Sequence, residues 1–196
     1  MIVLGLDTTG ADCSACVVRD DAVQAYSSER IGRGHAERLA PMVVEVLAAA
    51  ALTAKDIDRI AVCTGPGSFT GLRVALSFAK GFALPRKIPV LGFDALAIKA
   101  AESPGAITVY RDVKRGQVFA ARYVAGVAEA APSAMTMDEA QALAGDGPLE
   151  EAPEADVRIM ATIASTANPE VHPAEPLYAR APDAKLPGGK TPPLSV

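Results

Sequence analysis

At 196 residues the chain is long enough for a hydrophobic core, in one domain or two small lobes. Half of it is apolar and only 5% aromatic, with no tryptophan, so the core is built mainly from Ala, Val, Leu and Ile. No apolar run approaches the roughly 20 residues of a bilayer span. The net charge of −4, with 8 Lys/Arg against 13 Asp/Glu in residues 101–196, argues against a chain that grips a nucleic-acid backbone alone.

The apolar start MIVLGLDTTG is too short for a signal peptide and lacks a basic lead-in, so it reads as mature structure of a soluble, cytoplasmic protein. Three strands open the chain, IVLGLD (2–7), CSACVV (13–18) and AVQAYSSE (22–29), separated by turn residues. A helix follows from about His35 to Leu52, with Pro41 either kinking it or marking its real start. Strand RIAVCT (59–64) leads through TGPGSFTGLR into a second helix, then come IPVLGF (88–93) and a helix around 94–102. The order β-β-β-α-β-α-β predicts a mixed sheet, a meander extended by parallel strands with helical crossovers.

A smaller lobe begins near Ser103-Pro104-Gly105 with strands AITVYRD (106–112) and QVFAARYVA (117–125). MTMDEAQALA (135–144) is a short helix stopped by Gly145-Asp146-Gly147, EEAPEAD is loop, and DAKLPGGKTPPLSV is an extended or disordered tail. The predicted organisation is an N-terminal lobe over 1–102, a reduced C-terminal lobe over 103–182 and a flexible tail over 183–196.

Cys13 and Cys16 have the CxxC spacing of redox and zinc sites. A strand's two-residue period puts them on opposite faces, and only Cys63, His35 and His172 remain as further soft ligands. All three cysteines therefore read as ordinary buried thiols, and no metal site is expected.

TGPGSFTGLR invites a phosphate-loop reading, but neither glycine spacing fits. A P-loop needs Gly-Lys-Ser/Thr after four residues, and Leu72 follows Gly71; the dinucleotide GxGxxG is one residue short of Gly65-Pro66-Gly67-Ser68-Phe69-Thr70-Gly71. The stretch reads instead as a tight strand-to-helix turn with Ser68 as N-cap. On the helix behind it, Thr70, Arg73, Ser77 and Lys80 share one water-suited stripe, flanked by Phe69, Leu72, Leu76 and Ala79 on one side and Val74, Phe78 and Phe82 on the other. On the earlier helix Leu39, Met42, Val43, Val46 and Leu47, with Val44 and Ala50, spread over roughly 200° of circumference, wider than one sheet contact uses. That excess predicts an exposed apolar patch and so a protein interface. Its expected members are His35, Leu39, Met42, Val43, Val46, Leu47, Phe69, Thr70, Arg73, Leu76, Ser77 and Lys80, with Arg33 and Arg38 as rim charges.

GLDTTGADCSACVV, GHAERLAPMVVEVL, TGPGSFTGLRVALSFAKG and YARAPDAKLP resemble the TsaB family, the bacterial tRNA threonylcarbamoyladenosine biosynthesis subunits also labelled glycoprotease-like. The resemblance is strongest over the first 100 residues, and the second half is shorter than the family's usual. It implies the two-lobed actin/Hsp70/sugar-kinase fold with a ribonuclease-H-like core. It also implies a non-catalytic subunit that pairs with a TsaD catalytic homologue through the two helices above and works with a TsaE ATPase. ATP and a metal ion would then belong to the complex rather than to this chain. Transfer of threonylcarbamoyl to N6 of the adenosine beside the anticodon follows, with tRNA met only through the complex and a homodimer formed when the chain is alone. The partner's metal-binding HxxxH helix has no counterpart here, since His35 and His172 are the only histidines.

The alternative is a nucleotide-binding ATPase or kinase of the same fold, with Asp7, Thr8 and Thr9 as candidate nucleotide residues and Asp112 as the second carboxylate; Gly188-Gly189 is a poor nucleotide-binding pair. A nuclease would use Asp7 but lacks a second acid near the sheet centre. A metalloprotease lacks any HExxH or HxxxH.

Overall fold

A computed structural model describes residues 1–178. The predicted tail over 183–196, and the YARAPDAKLP stretch beyond Tyr178, lie outside them. Strands β1 (Ile2–Asp7), β2 (Asp12–Arg19) and β3 (Ala22–Arg30) form the antiparallel meander, and β4 (Arg59–Gly65) and β5 (Val90–Asp94) extend it in parallel. The sheet order is β3-β2-β1-β4-β5. Alternation along the strands gives each face its own core. Leu4, Leu6, Ala15 and Val17 face α1 (His35–Ala49) and α2 (Phe69–Ala83). Val3, Cys16, Val18, Ala61 and Cys63 face the opposite way. The expected β-β-β-α-β-α core is present, and the fold is a mixed α/β class built on two sheets.

The second sheet, in the order β10-β6-β7-β8, is formed by β6 (Ala106–Asp112), β7 (Val118–Val124), β8 (Val127–Ala128) and β10 (Leu149–Glu151), and β9 (Ser133–Met135) also pairs with β7. Helix α3 (Ala95–Ala100) packs on one face of it through Leu96, beside Val109 and Tyr123, and α4 (Met137–Ala144) covers the other through Ala140. EEAPEAD is not all loop. Its first two residues belong to β10, which pairs parallel with β6 but is only three residues long, too short for an alternating pattern to show.

The 103–182 lobe is divided. After β10 the chain returns to the first sheet, where α5 (Val157–Thr166) lays Val157, Met160, Ala161 and Ala164 against the Val3 and Cys16 face. Asp156 caps it by accepting the Arg158 N–H at 2.8 Å. Residues 172–178 then strap the sheet: Gly92 N–H donates to His172 O and Leu177 N–H to Thr64 O.

Helix α1 starts at His35 and runs through Pro41, so Pro41 is not its beginning. It stops at Ala49, short of Leu52, because Ala51 turns left-handed at φ 53° and Leu52 N–H reaches back to Leu47 O.

Candidate functional site

Two regions carry the predicted site residues. The first lies where the ends of β1 and β4 come side by side. Asp7, Thr8 and Thr9 are buried there, and each spends its polar atoms on its own fold. Asp7 Oδ1 accepts the Thr9 N–H at 2.7 Å, Thr8 Oγ1 donates to Gly71 O at 2.7 Å, and Thr9 O accepts the Ser68 N–H at 2.7 Å. Burial pushes the Asp7 carboxyl above the usual carboxylate range, against the Thr9 hydrogen bonds and the more distant Arg111.

This contact accounts for the glycine run. A Cβ on Gly67 would overlap Thr9 O, and one on Gly71 would overlap Thr8 O. The glycines admit the chain's own first turn, and Ser68 caps α2 by accepting the Gly71 N–H at 3.2 Å. On the same helix Ala75 and Ala79 are turned inward and buried in the core.

Beyond Thr9 the turn is closed by a carboxylate. Glu154 Oε1 accepts the Ala11 N–H at 2.6 Å, and Gly10 has no room for a Cβ against the Glu154 side chain. Burial, and then a hydrogen bond shared with Glu154, push the neighbouring Asp12 carboxyl up. Asp112 is exposed in the β6–β7 hairpin and accepts the Lys114 N–H at 2.7 Å. Gly188-Gly189 lies outside the described residues. Among the described residues no group of three or more His, Cys, Asp or Glu could hold a metal ion. Cys13 and Cys16 fall on opposite faces of the sheet, and burial raises their thiols to about 11 and about 12.

The second region is the pair α1–α2, and here the structure corrects the sequence. Leu39, Met42, Val43, Val46 and Leu47 do not form an exposed patch; all are buried, as is Leu76. The wide apolar arc of α1 is used inside the chain, because α1 packs at once on β2, β3 and α2. His35 is half-buried, with Nε2 lacking a hydrogen-bond partner among the described residues. Arg38 is tied to Glu29 and Glu45 on its own lobe.

Phe69, Thr70, Arg73, Ser77 and Lys80 are exposed, as is Val44 on α1. Between the helices lies a groove of about 490 Å³ with Ala36 and Leu39 on the α1 side and Phe69, Val74, Ser77 and Phe78 on the α2 side. Thr70 and Arg73 complete it, Arg73 as the only charged lining residue among the described residues.

A family model described as TsaD, tRNA N6-adenosine threonylcarbamoyltransferase, matches residues 27–169. The chain belongs to this family. The protein named tRNA threonylcarbamoyladenosine biosynthesis protein TsaB of Escherichia coli (strain K12) is 34% identical over 63% of this chain and 55% of its own length. The protein of that name from Bacillus subtilis (strain 168) is 31% identical over 63% and 55%. The chain thus spans little more than half of these curated TsaB relatives. An uncharacterized protein of Mycobacterium tuberculosis (strain ATCC 25618 / H37Rv) is 36% identical over 93% of both chains. Among solved structures, YeaZ from Pseudomonas aeruginosa superposes with a TM-score of 0.71 at 23% identity, over 90% of this chain and 99% of its own, which shows the shared fold.

The resemblance to TsaB read from the sequence therefore holds. Glu154 and Tyr178 carry contacts that the sequence did not single out. Glu154 sits in a polar, proline-broken stretch with no period, and Tyr178 stood only inside the TsaB-like YARAPDAK run.

Proposed function

We propose that this chain acts in tRNA threonylcarbamoyladenosine biosynthesis as a non-catalytic subunit that binds and organises a TsaD-type catalytic partner. The observation that carries the reading is the α1–α2 groove, apolar in its floor, rimmed by exposed Phe69, Thr70, Arg73 and Ser77, and large enough for side chains of another helix. The occupant is a helical segment of that partner. The docking surface is the exposed α2 stripe and the groove, not the buried α1 arc.

The state of the β1–β2 turn supports the non-catalytic part of the reading. A nucleotide phosphate at that turn needs free backbone donors, and Glu154 already takes the Ala11 N–H. The chain also has no HxxxH helix on which to build a metal site. In this reading ATP and a metal ion belong to the catalytic partner and a TsaE-type ATPase, tRNA is met through the assembly, and the chain alone pairs with itself over the same groove. Among the described residues no helix is long and apolar enough to cross a membrane, which suits a cytoplasmic role.

The test is light scattering of the chain alone and mixed with the TsaD-type protein of the same genome. Expected is a hetero-complex that displaces any homodimer and is lost in Ser77→Arg, which fills the groove. Failure of the wild-type chain to bind, with or without ATP, overturns the proposal.

A further inference from the structure

Among the described residues the α1–α2 groove has one charged lining residue, Arg73, and its guanidinium is held in place before any partner arrives. The Arg73 guanidinium carbon lies 3.9 Å from the centroid of the Phe69 ring. Phe69 in turn packs against Tyr178, ring centroids 5.3 Å apart, and Arg73 Nε donates to the Tyr178 hydroxyl at 3.4 Å. Tyr178 is fixed by the strap before it. Leu177 N–H donates to Thr64 O at 2.8 Å, and Gly65, at φ 110°, leaves no room for a Cβ against Leu177 O. The strap is anchored upstream by a bridge from Pro173 to Leu91.

This arrangement leaves a specific chemistry unsatisfied. An arginine stacked on a ring uses its face and keeps its edge for hydrogen bonding, and the planar fork matches a carboxylate in two-point contact. Nε is turned to Tyr178, and among the described residues no carboxylate meets Arg73. Arg38 shows the alternative on the same pair of helices, engaged by Glu29 and Glu45. Phosphate would also suit a guanidinium, but the surfaces next to Arg73 are Phe69, Val74 and Phe78, which favour an apolar helix face over a hydrated nucleic-acid backbone.

We propose that Arg73, set on Phe69 by Tyr178, is a carboxylate-recognition point, and that the partner segment filling the groove presents an Asp or Glu to it. The inference rests on the groove being the partner surface, and it adds the chemistry that selects the partner. Arg73 makes the contact. Tyr178 is a positioning residue, which makes the C-terminal strap part of the interface.

The experiment measures the dissociation constant of the full chain for the TsaD-type protein at low and high salt. Arg73→Gln should weaken association roughly tenfold or more and flatten its salt dependence. Arg73→Lys should recover only part, lacking the fork. Tyr178→Ala should weaken binding and Tyr178→Phe should largely restore it, with melting temperatures near wild type. Arg73→Glu should be rescued by an Asp/Glu→Lys change in the partner. If Arg73→Gln binds as tightly as wild type with the same salt slope while Ser77→Arg abolishes binding, the groove stands and the carboxylate point is wrong. If Ser77→Arg binds normally, the groove itself is wrong and this inference falls with it. A loss confined to tRNA affinity would assign Arg73 to phosphate and overturn the proposal.

Discussion

Glu154 Oε1 accepts the Ala11 N–H at 2.6 Å, so the segment entering α5 seals the turn between β1 and β2. The turn sits at the end of the first sheet's central strand, and among the described residues its donor has no other acceptor. Glu154→Ala should leave that N–H unpaired and cost about 1–3 kcal/mol of stability. Glu154→Gln keeps an acceptor at the same place and should cost less. Urea denaturation of the three proteins tests the difference; equal stability for all three would remove the hydrogen bond from the account.

The buried arc of α1 yields a prediction opposite to the one its sequence suggests. Met42 has no exposed surface and Val46 almost none, so their substitution acts on the chain's own core. Met42→Ala should cost about 2–5 kcal/mol. Val46→Arg should prevent stable folding, since it buries a charge without a partner. Circular dichroism of the isolated chain decides this. A folded Val46→Arg protein that merely fails to assemble would restore the exposed-patch reading.

That reversal shows what the sequence could and could not say. The strand and helix order of the first 100 residues was legible because apolar runs of period two and near 3.6 alternate with clear turn residues. Helix α5 also carries a readable i, i+3, i+4, i+7 pattern in Val157, Met160, Ala161 and Ala164, with Asp156 as cap. It was hidden by the proline-broken EEAPEAD before it and by small side chains that give a shallow contrast. The width of an apolar face was legible on α1, but what covers it depends on three neighbours brought together by tertiary packing. Strand β10 had almost no signal, because its three residues, Leu149 to Glu151, are too few for a period-two pattern to stand out.

Gly71 illustrates a residue whose importance lies in what it lacks. A Cβ there would run into Thr8 O, a backbone atom that cannot turn aside. Gly71→Ala should therefore destabilise by about 1–3 kcal/mol despite alanine's better helix propensity. Gly81, on the same helix with open space around it, is the control: Gly81→Ala should stabilise by several tenths of a kcal/mol to about 1. Thermal unfolding of the two variants should move in opposite directions.

The three cysteines are buried, and burial raises Cys13 and Cys16 to about 11 and about 12 and pushes Cys63 up as well. At neutral pH the native chain should react slowly with a thiol reagent such as Ellman's and show all its thiols only on unfolding. Fast reaction of the folded protein would mean that Cys13 or Cys16 is exposed by an opening of the sheet.

Asp7 separates the subunit reading from the nucleotide reading by sign. Its carboxyl is raised by burial, so the folded state holds its proton more tightly than the unfolded chain does. Stability from this group is present in full below the ordinary carboxylate pKa. It is lost as pH rises from that value through the raised one, and at neutral pH the buried charge is a net cost. Asn keeps an oxygen where Asp7 Oδ1 accepts the Thr9 N–H and removes the charge. Asp7→Asn should therefore equal or exceed the wild type in stability at pH 7, fall behind it in acid, and leave partner binding intact. An ATPase or kinase that used Asp7 to organise a metal would instead lose its activity in this variant. Denaturation across pH, run beside a partner-binding assay, distinguishes these outcomes: lower stability at neutral pH together with loss of assembly would return Asp7 to a working role at the site.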